Sequence, residues 1–253
     1  ETTIAEALKG AGYARLAVGK WHLGQQPQFL PTAHGFDEYL GIPSSDDMGA
    51  SAWDFYEDPN RPPLPLVHVT GAWPHSNLTI VEQPTDLNKL SGRYVAAASD
   101  FISGRSAAQQ KWLLYMAFNH VHVPNSCAVD GCGRSARGPI GDAVEDLDET
   151  IGHVMRALRA SGADEHTLTL FTSDNGSPQR PDGNLPLRGY KAQTWEGGFR
   201  EPGIARWPTR IAAGSVSHAI VSTLDVHPTL LRLAGVSPTT GLLIDGIDLS
   251  PIL

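Results

Sequence analysis

The chain is poor in several features that would each narrow its role. Two of its 253 residues are cysteine, too few for a disulfide-dense scaffold or an all-cysteine zinc site. Lysine and arginine number 19 against 27 aspartates and glutamates, a net charge of −8. No basic run occurs, so a nucleic-acid partner, which needs a positive patch against phosphate, is not expected. No apolar run approaches the roughly 18 residues that cross a bilayer, so no membrane span is expected. Internal repeats and low-complexity tracts are absent as well, which sets aside a repeat architecture. The sequence opens at Glu1, in what reads as a helix, with neither methionine nor leader. The expectation is a fragment, for which missing targeting signals record nothing about location.

What is present suits a folded enzyme. With 41% hydrophobic and 18% charged residues, the composition is ordinary for a globular protein. The length fits one large α/β domain, or one domain with a remnant of another. Cys127 and Cys132 share a glycine-containing loop and allow either a small disulfide in an oxidising compartment or two free thiols. Asn77-Leu78-Thr79 matches a glycosylation acceptor, a weak sign of a secretory route. Asn175-Gly176-Ser177 matches too, but a glycan there would abolish the reading that follows.

The chain is organised around residues 167–176. Thr167 to Thr172 reads as a short buried strand that ends in Ser173-Asp174-Asn175-Gly176. Ligands collect at the carboxyl ends of strands in α/β sheets, and carboxylate and amide oxygens suit a hard cation. A plain Asn-Gly hairpin is the competing reading, but residues 177–186 are polar and rich in proline and glycine, with no second strand to pair. Upstream, Arg15 to Val18 reads as a strand opening into Gly19-Lys20-Trp21-His22, which puts Lys20 and His22 at a second carboxyl end. Phe36 to Ile42 is another short apolar run, and from Pro43 to about Leu90 the proline-rich chain reads as irregular. Asp46 and Asp47 fall there and read as solvated loop acids.

Residues 91–106 suit a helix. Lys111 to Phe118 is the most apolar run and reads as a central strand, delivering Asn119-His120-Val121-His122. In an extended segment His120 and His122 would share a face. A helix follows from Gly141-Asp142 to about Ala160. Its apolar residues (Val144, Leu147, Ile151, Val154, Met155, Leu158) form one stripe against a sheet. Ile204 to Trp207 reads as a further strand, Leu224 to Leu233 as a helix, and the rest as a polar linker.

Taken together, these stretches resemble a sulfatase, most closely the arylsulfatase A and N-acetylgalactosamine-6-sulfatase group. The resemblance is carried by Gly12-Tyr13, Val18 to Gly24, Gly41 to Ser45, His120-Val121-His122 and Arg137 to Asp142. Phe171 to Gly176, Lys191, Glu196 to Pro202 and Leu224 to Leu230 complete it, in order along nearly the whole chain. It implies an alkaline-phosphatase-like α/β fold, a mixed sheet between helices, incomplete at both ends. Residues 1–236 would be a partial catalytic domain, and 237–253 a linker into a small C-terminal subdomain. It also implies sulfate-ester hydrolysis at a Ca²⁺ site by a formylglycine nucleophile. Asp174 and Asn175 would bind the metal, and Lys20 and His22 would hold the nucleophile and sulfate with Ser45 nearby. His122 and Lys191 would contact the sulfate and the departing oxygen, His122 being the favoured proton donor. The substrate would be a sulfated sugar, lipid or small aryl ester, and the location secreted, lysosomal or periplasmic. The sequence is silent on oligomeric state.

Two departures qualify the match. Neither Cys127 nor Cys132 sits in the Cys-x-Pro-x-Arg motif that yields formylglycine, and the family's N-terminal aspartate pair is absent. Ca²⁺ takes about 6–8 oxygens, more than Asp174 and Asn175 supply, so nucleophile and further ligands are expected upstream of Glu1. Two rivals stand beside this reading. A zinc phosphodiesterase or phosphatase of the same superfamily would place a histidine after the aspartate, where Asn175 stands. A sulfatase-like protein without catalysis would only bind a sulfated glycan. The 253 residues alone are expected to turn nothing over, and arylsulfatase activity from the purified chain would contradict that.

Overall fold

In a computed structural model, residues 2–49, 62–179, 183–238 and 243–253 are described, and they form two compact units. The first comprises 1–162 with 221–250 and the second 163–220 with 251–253.

The first unit is built on a five-stranded sheet in the order β4-β3-β2-β1-β5. Its strands are β1 (Ala14–Gly19), β2 (Glu38–Gly41), β3 (Leu66–Thr70), β4 (Asn77–Glu82) and β5 (Trp112–Ala117). β1 runs parallel to β2 and β5, while β3 and β4 extend the sheet antiparallel. Every residue of β1 is buried, as a strand covered on both faces requires. On one face Leu16 and Val18 meet Leu90, Tyr94 and Phe101 of α2 (Leu90–Ala107). On the other, Ala17 and Tyr39 join Ala5 of α1 (Ile4–Lys9), with Leu30 and Phe36 from the connecting loop. Helix α1 starts at a capping box in which Thr3 and Glu6 satisfy each other's backbone N–H. Helix α3 (Pro139–Ala160) packs beside α2.

Four expectations are corrected here. Part of the stretch expected to be irregular folds into β3 and β4, because its prolines fall outside the strands and leave Leu66–Thr70 and Asn77–Glu82 free to pair. Residues 50–61 of that stretch lie outside the described residues. The most apolar run, β5, is an edge strand among the described residues, with Tyr115 49% exposed. Helix α3 buries Asp142, Ala143, Asp146, Thr150 and Leu158, while Val144 of the expected apolar stripe is half exposed. Leu147, Ile151, Val154 and Met155 are half-buried, and Asp146 is buried among them because His120 and Ser91 meet its carboxylate.

The second unit holds β6 (Thr169–Thr172), paired antiparallel with β7 (Gly203–Arg206), and the short α4 (Glu196–Phe199). β6 alternates half-buried and exposed residues, so it is not the fully buried strand the sequence suggested. Its partner is β7 rather than the segment after Gly176, so no Asn-Gly hairpin forms. The chain returns to the first unit with α5 (Val226–Ala234), and Gly235 closes that helix at φ 70°.

Leu16 is 2% exposed at the centre of the larger core. Leu16→Ala is expected to cost roughly 2–5 kcal/mol by denaturant unfolding; a cost under about 1 kcal/mol would mean that Leu16 is not packed in the core of the first unit.

Candidate active site

In the first unit, polar side chains gather where β2, β1 and β5 end. β1 stops at Gly19 (φ 109°), and a Cβ there would lie 1.9 Å from the Ala117 carbonyl oxygen. Only glycine allows the two strand ends to approach so closely. The Lys20 N–H then donates to Ala117 O at 2.8 Å, Trp21 N–H to Ile42 O at 3.0 Å and His22 N–H to Pro43 O at 3.2 Å. These bonds fix the Lys20–His22 segment between the end of β5 and the loop after β2. His22 sits at φ 58°, an uncommon backbone state for a residue with a Cβ, and such states collect at functional positions.

The loop beside it carries Ser45 and Asp46, respectively 2% and 3% exposed. Asp46 is thus no solvated loop acid: its Oδ1 accepts from Asn119 Nδ2 at 2.7 Å, and Asn119 Oδ1 accepts from the Tyr94 hydroxyl at 2.9 Å. Burial lifts its carboxyl to about 7, against the opposing pull of Lys20, Asn119 and His120.

Beyond β5 the backbone turns, with the His122 N–H donating to Asn119 O at 2.9 Å. The segment is not extended, so His120 and His122 take different environments. The His120 ring is 3% exposed and lies 2.8 Å from Asp146 of α3, whose carboxylate also accepts from Ser91 Oγ at 2.5 Å. Burial works against the Asp146 charge, but His120 and Ser91 more than offset it and leave the carboxyl below its ordinary range. His122 is half-buried, and its Nδ1 is 2.7 Å from Val123 O. A carbonyl can only accept, so Nδ1 carries the proton, and neutral His122 presents a bare Nε2.

The second unit presents Asp174, Asn175 and Lys191. Asp174 is exposed, Asn175 and Lys191 half-buried, and Asn175 Nδ2 donates to Asp174 Oδ1 at 2.9 Å. Gly176 packs so tightly on α4 that a Cβ would lie 1.8 Å from Gly197 O. The Lys191 N–H donates to Ser177 O at 2.9 Å. Asn184, passed over in the sequence, ties this loop together: its side chain bonds Ser177 N, Ser177 O and Gly189 O. Glu201 was passed over too. Burial, with the Asp174 charge adding to it, raises its carboxyl against a hydrogen bond to Ser173, and its Oε1 is buried without a partner.

Asp174 and Asn175 offer a carboxylate and an amide oxygen, and the unpartnered Glu201 oxygen adds anionic character near Asp174. In kind this donor set fits a hard cation such as Ca²⁺; in number it falls short of about 6–8 oxygens. No cluster of three or more metal-ligating His, Cys, Asp or Glu side chains occurs among the described residues. Cys127 and Cys132 are joined in a disulfide, and the loop they close is held where Asp142 accepts from the N–H groups of Gly133, Arg134 and Ser135. A cleft of about 410 Å³ at the opposite, amino ends of the strands is lined by none of the candidate residues. Its Arg15 is committed to Asp37.

The sulfatase family profile matches residues 1–236. N-acetylgalactosamine-6-sulfatase of Canis lupus familiaris is 39% identical over 262 aligned residues, covering all of this chain and 48% of that protein. Arylsulfatase A of Homo sapiens is 39% identical over 269 residues, covering all of this chain and 51% of that protein. Thus the chain spans about half the length of these curated relatives. Among solved structures, PsFucS1 sulfatase from Pseudoalteromonas sp. superposes with a TM-score of 0.88 at 30% identity, over 98% of this chain and 53% of that one.

Asp46 supplies a stability test. Its folded carboxyl holds a proton to about 7 against an ordinary 3.8, so folding favours the protonated form and stability falls as pH rises between those values. Asp46→Asn removes the titration. The stability difference, variant minus parent, is expected to grow by on the order of 4 kcal/mol from about pH 4 to about pH 8 in denaturant unfolding. A difference constant with pH would show that Asp46 is not a desolvated carboxyl.

Proposed function

This chain belongs to the sulfatase family, and on that premise we propose that the protein hydrolyses sulfate esters with Ca²⁺ assistance. The in-order match across residues 1–236 supports this reading most. The names of the two relatives, one a sugar sulfatase and one an arylsulfatase, keep both substrate classes in view.

A sulfate monoester is an anion whose bridging oxygen gains charge as the S–O bond breaks. Lys20 and Lys191 are assigned to that charge, since preorganised cations facing developing charge are commonly the largest catalytic term. Ser45 is assigned to the sulfate oxygens and His22 to the nucleophile and sulfate. His122 is assigned to the leaving oxygen. Because its Nδ1 proton is held by the Val123 carbonyl, a donor at Nε2 exists only in the imidazolium form, so His122 must be doubly protonated to act as general acid. Asp174 and Asn175 would hold the Ca²⁺, which when bound supplies Lewis-acid stabilisation of the sulfate. The resemblance implies a formylglycine nucleophile, whose motif these 253 residues do not contain, and Asp174 with Asn175 supplies only part of the about 6–8 oxygens that Ca²⁺ takes.

The Cys127–Cys132 disulfide and the exposed Asn77 of the Asn77-Leu78-Thr79 sequon favour an oxidising, secretory-type or periplasmic location. Among the described residues no helix is long and apolar enough to cross a membrane. The division into a catalytic domain over 1–236 and a further subdomain from 237 is part of the same proposal.

The complete protein is expected to hydrolyse an aryl sulfate, to contain stoichiometric calcium and to lose activity to a chelator. Asp174→Ala should lower kcat/KM by on the order of 10²–10³-fold. Stoichiometric zinc with phosphodiesterase turnover would favour the zinc-enzyme reading instead. Binding of a sulfated glycan without turnover would reduce the protein to a lectin-like role.

A further inference from the structure

A buried polar chain runs beneath the rim of the first unit, and its last oxygen has no partner among the described residues. The Tyr94 hydroxyl donates to Asn119, Asn119 donates to Asp46 Oδ1, and Asp46 Oδ2 is buried without a hydrogen bond. Tyr94, Asn119 and Asp46 are each at most 3% exposed. Burying a carboxyl with half of its hydrogen-bonding capacity unused is costly, and a plain structural link from α2 to the loop after β2 would not need an acid. The nearby cation is Lys20, whose segment is stitched to the same loop through Ile42 O and Pro43 O and to β5 through Ala117 O. Among the described residues no ion pair engages Lys20, so the two charges act on each other through space.

We propose that Asp46 is a positioning residue for anion recognition, setting how much of the Lys20 charge is available to a bound sulfate. This rests on the sulfatase reading for its substrate. Ionised, Asp46 draws the ammonium inward and cancels much of its field; protonated, it releases that field to the anion. The titratable groups that bear on it are Lys20 at the end of β1, His120 beyond β5, Asp47 on its own loop and Tyr94 on α2. Burial places the exchange near neutrality, where a sulfate monoester keeps a constant single charge. Any pH dependence of its binding therefore comes from the protein.

The test compares the complete wild-type protein with Asp46→Asn and Tyr94→Phe. KM for 4-nitrophenyl sulfate and Kd for inorganic sulfate by calorimetry are followed from about pH 6 to about pH 8. In the wild type both are expected to rise roughly 3- to 10-fold across that range. In Asp46→Asn the rise should shrink to under about twofold, with kcat changed by less than about threefold. Tyr94→Phe leaves both charges in place but loosens Asn119, and should move the midpoint of the rise. An Asp46→Asn curve parallel to the wild type, or a loss confined to kcat, would overturn the proposal. If that variant does not fold, an unmoved midpoint in Tyr94→Phe overturns it. A sulfate Kd that Asp46→Asn flattens in a protein without turnover would uphold the role of Asp46 while defeating the sulfatase reading.

Discussion

Close backbone packing at Gly19 is the constraint on which the rest of the first unit depends. With no Cβ between them, the ends of β1 and β5 meet at the Ala117 carbonyl, and Gly41 closes on Gly19 from the β2 side with equal tightness. Three strand ends therefore finish at one level, and the polar residues that follow them cannot drift apart. The second unit uses the same device on a smaller scale, with Gly176 against Gly197 holding the Asp174-Asn175 turn to α4. Rigid elements carry the reactive groups, and glycines set how near those elements come.

Charge follows from that geometry. Burial raises the Asp46 carboxyl, while the charges of Lys20 and His120 pull it back down where solvent screens poorly. Some of these groups are already committed: His120 turns its Nε2 to Asp146, Ser91 donates to the same carboxylate, and Arg15 pairs with Asp37. In contrast Lys20 has no ion pair among the described residues, and the His122 ring is oriented by a backbone carbonyl that engages Nδ1 and leaves Nε2 for other chemistry. Groups held in place but not consumed by the fold are the ones left for a substrate.

Much of this was legible in the sequence, for identifiable reasons. Helices α2 and α3 and strands β1 and β5 announced themselves by length and apolar content, and the carboxyl-end rule led from strands to Lys20, His22 and Asp174-Asn175. What failed did so where tertiary contacts outrank local pattern. The turn after β5 cannot be read from His-x-His, so the shared face of His120 and His122 was an artefact of assuming an extended chain. Asp46 looked solvated because Ser-Ser-Asp-Asp is loop composition, yet Asn119 and Tyr94, distant in sequence, bury it. Asn184 and Glu201 gave no signal beyond polarity. A hint for Asp146 lay in its position on the helix face that packs on α2, though nothing local told it from Asp148.

The central claim is that side chains from separate strand ends act together on one sulfate ester. A double-mutant cycle on the complete protein tests this most directly: Lys20→Ala, His122→Ala and the pair, compared by kcat/KM on an aryl sulfate. Residues that serve one transition state lose activity non-additively, so the double variant is expected within about tenfold of the worse single one. Losses that multiply in full would mean that Lys20 and His122 act independently, and would contradict the account.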